Sequence, residues 1–144
     1  ARDAIDACRL FGKQIAMALT GESKEDILFH ACDEVLPMNS LSSSIAKIAF
    51  GSYRDKQEAD IVGSGYVVKS LEAALWCFLK TNNFQDAILK AVNLGDDADT
   101  TAAVCGQIAG AFYGAENIPD QWLAKLAKRE MIEEMALKLF RKGS

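Results

Sequence analysis

Residues 93–114 read NLGDDADTTAAVCGQIAGAFYG, and the fold turns on how this stretch is read. Asp96, Asp97 and Asp99 stand between Gly95 and Thr100, and an apolar run with glycines at 106, 110 and 114 follows directly. Carboxylates crowded this closely repel one another, so the fold must supply a cation or backbone N–H donors to hold them. Two readings are open. In one, an Asp caps the helix that begins near Thr100 and meets the positive end of its dipole. In the other, Asp97 and Asp99 turn hard oxygens toward Mg²⁺ or Mn²⁺, with the Thr100 hydroxyl beside them. A cap needs only one Asp, and three are present. The glycines recur every four residues and therefore share one helix face. Each costs about 1 kcal/mol relative to alanine inside a helix, which is accepted where a second helix must come very close. The stretch is therefore expected to be the central helix, with its acidic N-terminus facing a cleft.

Upstream, Asn83 with Asp86 predicts a capped helix whose apolar face is Phe84, Ala87, Ile88 and Ala91. It delivers the chain to Gly95. The segment from Val67 to Leu79 is apolar nearly all round, the pattern of a helix buried at the centre of a bundle. Just before it, Gly63-Ser64-Gly65-Tyr66 lets backbone N–H groups approach a ligand, or simply turns the chain between helices.

Nearer the start, Ala4, Cys8, Phe11, Ile15 and Leu19 form a helical stripe closed by Thr20-Gly21. Ser23 and Asp26 make a capping-box start for a second helix, with Ile27, Ala31 and Val35 on its face and Pro37 as its limit. His30 falls within that helix and reads as a partly buried structural residue. The run Ser42-Ser43-Ser44 begins a short helix ending at Gly51. Downstream, Ile118-Pro119 opens a further helix. Trp122, Leu126, Ile132, Met135 and Leu139 supply the apolar face of the closing helices. With only two prolines and this repeated spacing, the chain is expected to be all-α.

The 144 residues are enough for one all-α domain, or for the C-terminal portion of a larger one. A net charge of −4 and no run of Lys/Arg argue against a nucleic-acid surface. A phosphate-bearing ligand is expected to be held through a cation or backbone amides. The four cysteines form no CxxC pair and read as reduced core side chains of a cytoplasmic protein. The single histidine has no spacing to them that suits zinc. No apolar run reaches membrane-spanning length, Ala1-Arg2-Asp3 does not open a signal peptide, and helical periodicity begins with the first residues.

GDDADT at 95–100, the two GxxxG spacings and IPDQW at 118–122 resemble the C-terminal signature of the ADP-ribosylglycohydrolases. The resemblance runs back through GSGYVVKSLEAALWCFL at 63–79 and NFQDAILKAVN at 83–93. It implies an orthogonal helical bundle with two metal ions, Mg²⁺ or Mn²⁺, in a central cleft. It also implies hydrolysis of the glycosidic bond that joins ADP-ribose to an acceptor, the ligand being ADP-ribose or an ADP-ribosylated protein. Asp97, Asp99 and Thr100 match the family's metal ligands. Gly65 and Tyr66 match the segment that meets ribose and phosphate, with Ser64 beside them. Asp96 stands where some members have glycine and is given a supporting place.

The family's second acidic motif, of the TDDT kind, has no counterpart here. The nearest paired acids, Asp33-Glu34, read as mid-helix. The resemblance therefore implies a fold incomplete at its N-terminus, a C-terminal half whose general base lies in the missing half. The rival expectation is a non-catalytic helical module that binds metal or ADP-ribose. Pairing with the missing half or with a second copy follows from the apolar helix around Trp76.

Overall fold

Helix-forming periodicity dominates the chain from end to end, and the computed structural model, which describes residues 2–143, contains no strand among them. The helices are α1 (Arg2–Leu19), α2 (Lys24–Phe29), α3 (Ser43–Ala49), α4 (Val67–Leu79), α5 (Phe84–Asn93), α6 (Ala98–Tyr113), α7 (Asp120–Leu123) and α8 (Arg129–Lys142). α4 carries the least polar surface and is buried accordingly, every residue from Ser70 to Phe78 being shielded from solvent. α6 lies against α5, α4 and α1, so the acidic segment does open a central helix. These four helices form the layer on which the candidate site is built.

Local chemistry sets the helix ends as the spacing predicts. The Ser23 Oγ accepts the Asp26 N–H at the start of α2, and the Asn83 Oδ1 accepts the Asp86 N–H at the start of α5. α1 stops at Gly21, where φ of +84° suits a residue without Cβ. At its far end α4 is tied by Lys24. The ammonium donates to the Phe78 carbonyl at 2.9 Å, the Thr81 carbonyl at 2.6 Å and the Tyr113 hydroxyl at 2.8 Å. It also lies 4.4 Å from the Phe78 ring centroid. A cation placed there satisfies the carbonyls that a helix C-terminus leaves over.

Several expectations are corrected. The buried face of α1 is Asp6, Ala7, Leu10, Gln14 and Ala18, one position away from the apolar stripe. Ala4, Cys8 and Leu19 are exposed, while Phe11 and Ile15 are half-buried. Small residues at 7 and 18 let neighbouring helices come close, and Asp6 is held inside because its Oδ2 accepts the Ser42 N–H at 2.9 Å. Close approach outweighs side-chain hydrophobicity here. α2 ends at Phe29, so His30 is an exposed C-cap residue and Val35 is 85% exposed. Asp33 lies in a loop, accepting the Val35 and Leu36 N–H groups and an ion pair from Lys13. That local hydrogen bonding competes with helix and ends it early.

Of the cysteines, only Cys77 and Cys105 are buried. Burial pushes each of their thiols up to about 12, so both stay neutral. Gly114 ends α6 with φ of +87° and takes no part in packing the helix interior. The Trp76 helix is already covered within this chain, Trp76 being 3% exposed with its Nε1 bonded to the Lys56 carbonyl. The uncovered apolar side chains lie elsewhere, on α8 among other places. None of its residues is buried, and Ile132, Met135 and Leu139 stand open to solvent.

Candidate functional site

Two successive left-handed residues, Gly95 at φ +79° and Asp96 at φ +50°, turn the chain from α5 into α6. Asp is among the few side chains that tolerate this conformation, which gives Asp96 a backbone role. The turn presents the N–H of Asp97 to the carbonyl of Gly63 at 2.9 Å. The Asp97 carbonyl in turn accepts both the N–H and the hydroxyl of Thr101, each at 3.1 Å. Thr101 is wholly buried. The backbone of Asp97 is thus held from two sides, and its side chain is left to do something else.

Asp97 occupies the N-cap position of α6, yet its carboxylate makes no capping hydrogen bond. The capping alternative therefore fails for the residue best placed to fulfil it. The Asp97 carboxylate instead faces Gly65 and Asp99. A Cβ built on Gly65 would stand 2.9 Å from Asp97 Oδ2. The Asp99 carboxyl is held below the ordinary carboxylate range, first through its contact with the Asp97 side chain. The Thr100 N–H, donated to Asp99 Oδ1 at 2.9 Å, pulls in the same direction. Two carboxylates side by side present hard oxygens to one point, where a cation would relieve their mutual repulsion.

The glycine turn and the acidic turn, separate in the sequence, are therefore one place in the fold. The Ser64 Oγ accepts the Tyr66 N–H at 3.4 Å and shapes the turn. Tyr66 reaches across to α1, where its hydroxyl donates to Asp3 Oδ2 at 2.7 Å. The nearby Ser42 side chain and then the Tyr66 hydrogen bond hold the Asp3 carboxyl low, and the contact with Asp3 pushes the Tyr66 phenol up. Thr100 lies exposed on the first turn of α6.

Asp3, Ser42 and Thr101 are the supporting residues that sequence reasoning did not find. The Thr100-Thr101 pair carried a signal for the last of these, since a threonine can bond back to the carbonyl four residues earlier. Nothing in the sequence links Asp3 to Tyr66.

The donor set suits a hard divalent ion. Mg²⁺ is commonly held by one or two carboxylates with water completing its shell, and Asp97 and Asp99 with the Thr100 hydroxyl fit part of such a shell. Among the described residues no three His, Cys, Asp or Glu side chains converge, so Asp96 does not join the pair.

Comparison with known proteins places this geometry in context. The sequence model described as ADP-ribosylglycohydrolase matches residues 1–144. The chain is 42% identical over 140 residues to an ADP-ribosylarginine hydrolase Tri1 of Pseudomonas putida (strain GB-1), covering 97% of this chain and 36% of that protein. The corresponding protein of Serratia proteamaculans (strain 568) is 43% identical over 140 residues, with 97% and 37% covered. An ADP-ribosyl-[dinitrogen reductase] glycohydrolase of Rhodospirillum rubrum is 32% identical over 120 residues, with 83% and 36% covered. A solved chain described as an ADP-ribosylglycohydrolase-related protein complex superposes with a TM-score of 0.87 at 38% identity, over 98% of this chain and 48% of that one. The chain thus spans 36–37% of the length of the three curated relatives and 48% of the solved chain.

Proposed function

This chain belongs to the ADP-ribosylglycohydrolase family, and we propose that it supplies one side of an active site that removes ADP-ribose from ADP-ribosylated substrates, ADP-ribosylated protein among them. The observation that carries the reading is the meeting of Gly65 with Asp97. It sets a turn whose backbone a ligand can approach directly beside a pair of carboxylates.

In this reading Asp97, Asp99 and Thr100 hold Mg²⁺ or Mn²⁺, one ion of a two-metal centre. A divalent ion bound there would orient the ribose hydroxyls and favour attack of water at the anomeric carbon. The chain's own groups do the rest of what falls to it. Gly65 has no Cβ, so the sugar comes close to the backbone. Ser64 holds the turn, and Tyr66, anchored to Asp3, flanks the ribose and phosphate. The carboxylates favour the positive charge that an oxocarbenium-like transition state develops.

Both carboxylates of the pair are committed to the ion. The general base is therefore assigned to the remainder of the enzyme, beyond the third that this chain matches. In this reading the chain by itself would bind without turning over, since among the described residues no third His, Cys, Asp or Glu joins the two carboxylates.

Four unpaired cysteines, Cys8 among them and exposed, suit a reducing cytoplasm. No helix among the described residues is long and apolar enough to cross a membrane.

Calorimetric titration of Mg²⁺ and Mn²⁺ into the chain, beside Asp97→Ala/Asp99→Ala, tests the proposal. Binding abolished in the double variant supports it. Binding that survives the double variant places the ion elsewhere and removes the basis for the reading.

A further inference from the structure

The lysines of this chain are scattered in the sequence, but the fold gathers three of them around one cavity. Lys47 comes from α3, Lys56 from the loop that follows, and Lys69 from the first turn of α4. The cavity holds about 350 Å³, and Tyr66 forms part of its wall. Glu72 lies beneath, 5% exposed, with Lys56 at 2.6 Å and Lys69 at 3.3 Å from its two oxygens. Three ammonium groups against one carboxylate leave two positive charges, on a chain whose overall charge is −4.

The arrangement is built in advance of any ligand. The Trp76 indole N–H fixes the Lys56 carbonyl at 3.0 Å, and Glu72 holds both flanking ammonium groups in place. Each lysine ammonium carries three donors, so one contact to Glu72 leaves others to spare. The hydroxyls of Ser44 and Ser52 also line the cavity.

We propose that this cavity is a phosphoryl-binding pocket, with Lys47, Lys56 and Lys69 as its cationic wall and the Ser44 and Ser52 hydroxyls as further donors. Charge selects the ligand class. A phosphoryl group carries about −1.5 to −2 at neutral pH and matches the two uncompensated positive charges, whereas a single carboxylate does not. Position also matters, because Tyr66 belongs to the same turn as Gly65, which lies against Asp97. The phosphoryl group has two possible sources, the diphosphate of ADP-ribose or a free phosphate. The pocket does not depend on the hydrolase reading, and only its assignment to ADP-ribose rests on that reading.

The test is titration calorimetry of inorganic pyrophosphate without metal, into the wild-type chain, Lys47→Ala/Lys69→Ala, and Asp97→Ala/Asp99→Ala. Lys47→Ala alone serves as a milder variant that leaves both Glu72 ion pairs intact, and circular dichroism checks that each variant is folded. The expected result is at least tenfold weaker binding in the lysine double variant, a smaller loss in Lys47→Ala, and wild-type binding in the aspartate variant. Binding should also weaken as salt is raised, since the lysine heads are only partly buried.

Absence of pyrophosphate binding by the wild-type chain at millimolar concentration and low salt overturns the proposal. So does a folded lysine double variant that binds within twofold of wild type. ADP-ribose in place of pyrophosphate then separates the sources. A parallel loss in the lysine variant assigns the pocket to the diphosphate, and unchanged ADP-ribose affinity assigns it to a free phosphate. Metal titration reads the Asp97–Asp99 pair separately, so failure of either proposal leaves the other standing.

Discussion

Gly65 lies so close to Asp97 that a Cβ built on it would stand 2.9 Å from the Asp97 Oδ2. The contact is with the tip of a short side chain that can swing away, and the backbone is clear. Gly65→Ala is therefore expected to leave stability nearly unchanged while displacing the carboxylate. Affinity for Mn²⁺ should fall roughly tenfold, about 1.4 kcal/mol. Calorimetry with a melting curve on the same sample measures both quantities. Lost stability with intact metal affinity would contradict this account.

Gly63 is the opposite case. A Cβ there meets Thr101 Oγ1 at 3.2 Å and the Gly95 carbonyl oxygen at 3.3 Å, and neither can withdraw easily. Thr101 is wholly buried, and the Gly95 carbonyl is backbone. Overpacking of this kind costs about 1–3 kcal/mol. Gly63→Ala should show that loss in urea denaturation, and a variant within 0.5 kcal/mol of wild type would refute the close packing described.

The glycines inside α6 are less constrained than their spacing suggests. A Cβ at Gly106 would lie 3.4 Å from Ile88 Cδ1, and one at Gly110 would lie 3.8 Å from Phe84 Cε2, both ordinary contacts. Gly110→Ala should therefore stabilise the chain by up to about 1 kcal/mol through helix propensity. Thermal unfolding checks the sign.

Lys24 joins α2 to the ends of α4 and α6, and among the described residues its hydrogen bonds go to two carbonyls and a hydroxyl rather than to a carboxylate. Burial pushes its ammonium below the ordinary lysine range, while three acceptors hold the proton. Lys24→Met keeps much of the apolar stem and removes the donors. A loss of roughly 1–3 kcal/mol is expected, the range for hydrogen bonds to a charged group. Chemical denaturation measures it.

Acid should unfold the chain through its hydrogen-bonded aspartates. Lys13 and the Leu36 N–H hold Asp33 below its ordinary value of 3.8. Asp3 and Asp6 are lowered too, chiefly by Ser42, whose N–H donates to Asp6 and whose side chain lies near Asp3. A carboxyl lowered in the folded state contributes stability that is complete above the unfolded value and lost as pH falls through the folded one. The melting temperature should therefore decline as pH falls below about 4. Asp33→Asn should flatten part of that decline. A melting temperature independent of pH between 5 and 2 would contradict the assignment.

Helices α2 and α5 begin where the sequence says they do, because their caps join residues three apart and need no partner from elsewhere. The burial of α4 is equally legible, since a segment apolar on every side has only one place to go. The acidic motif and the glycine turn are visible as motifs, and their family likeness as well. What the sequence does not contain is their meeting. The bond between Asp97 and Gly63, the bond between Tyr66 and Asp3, and the gathering of Lys47, Lys56 and Lys69 each join distant segments.

The same limit accounts for α1, whose most apolar stripe is not its buried one. Which face of a helix is covered depends on how closely its neighbours approach, and Ala7 and Ala18 permit an approach that Ile5 and Leu19 do not. Local spacing therefore determined the elements and the chemistry available to them. Packing between helices decided which of those groups share a site.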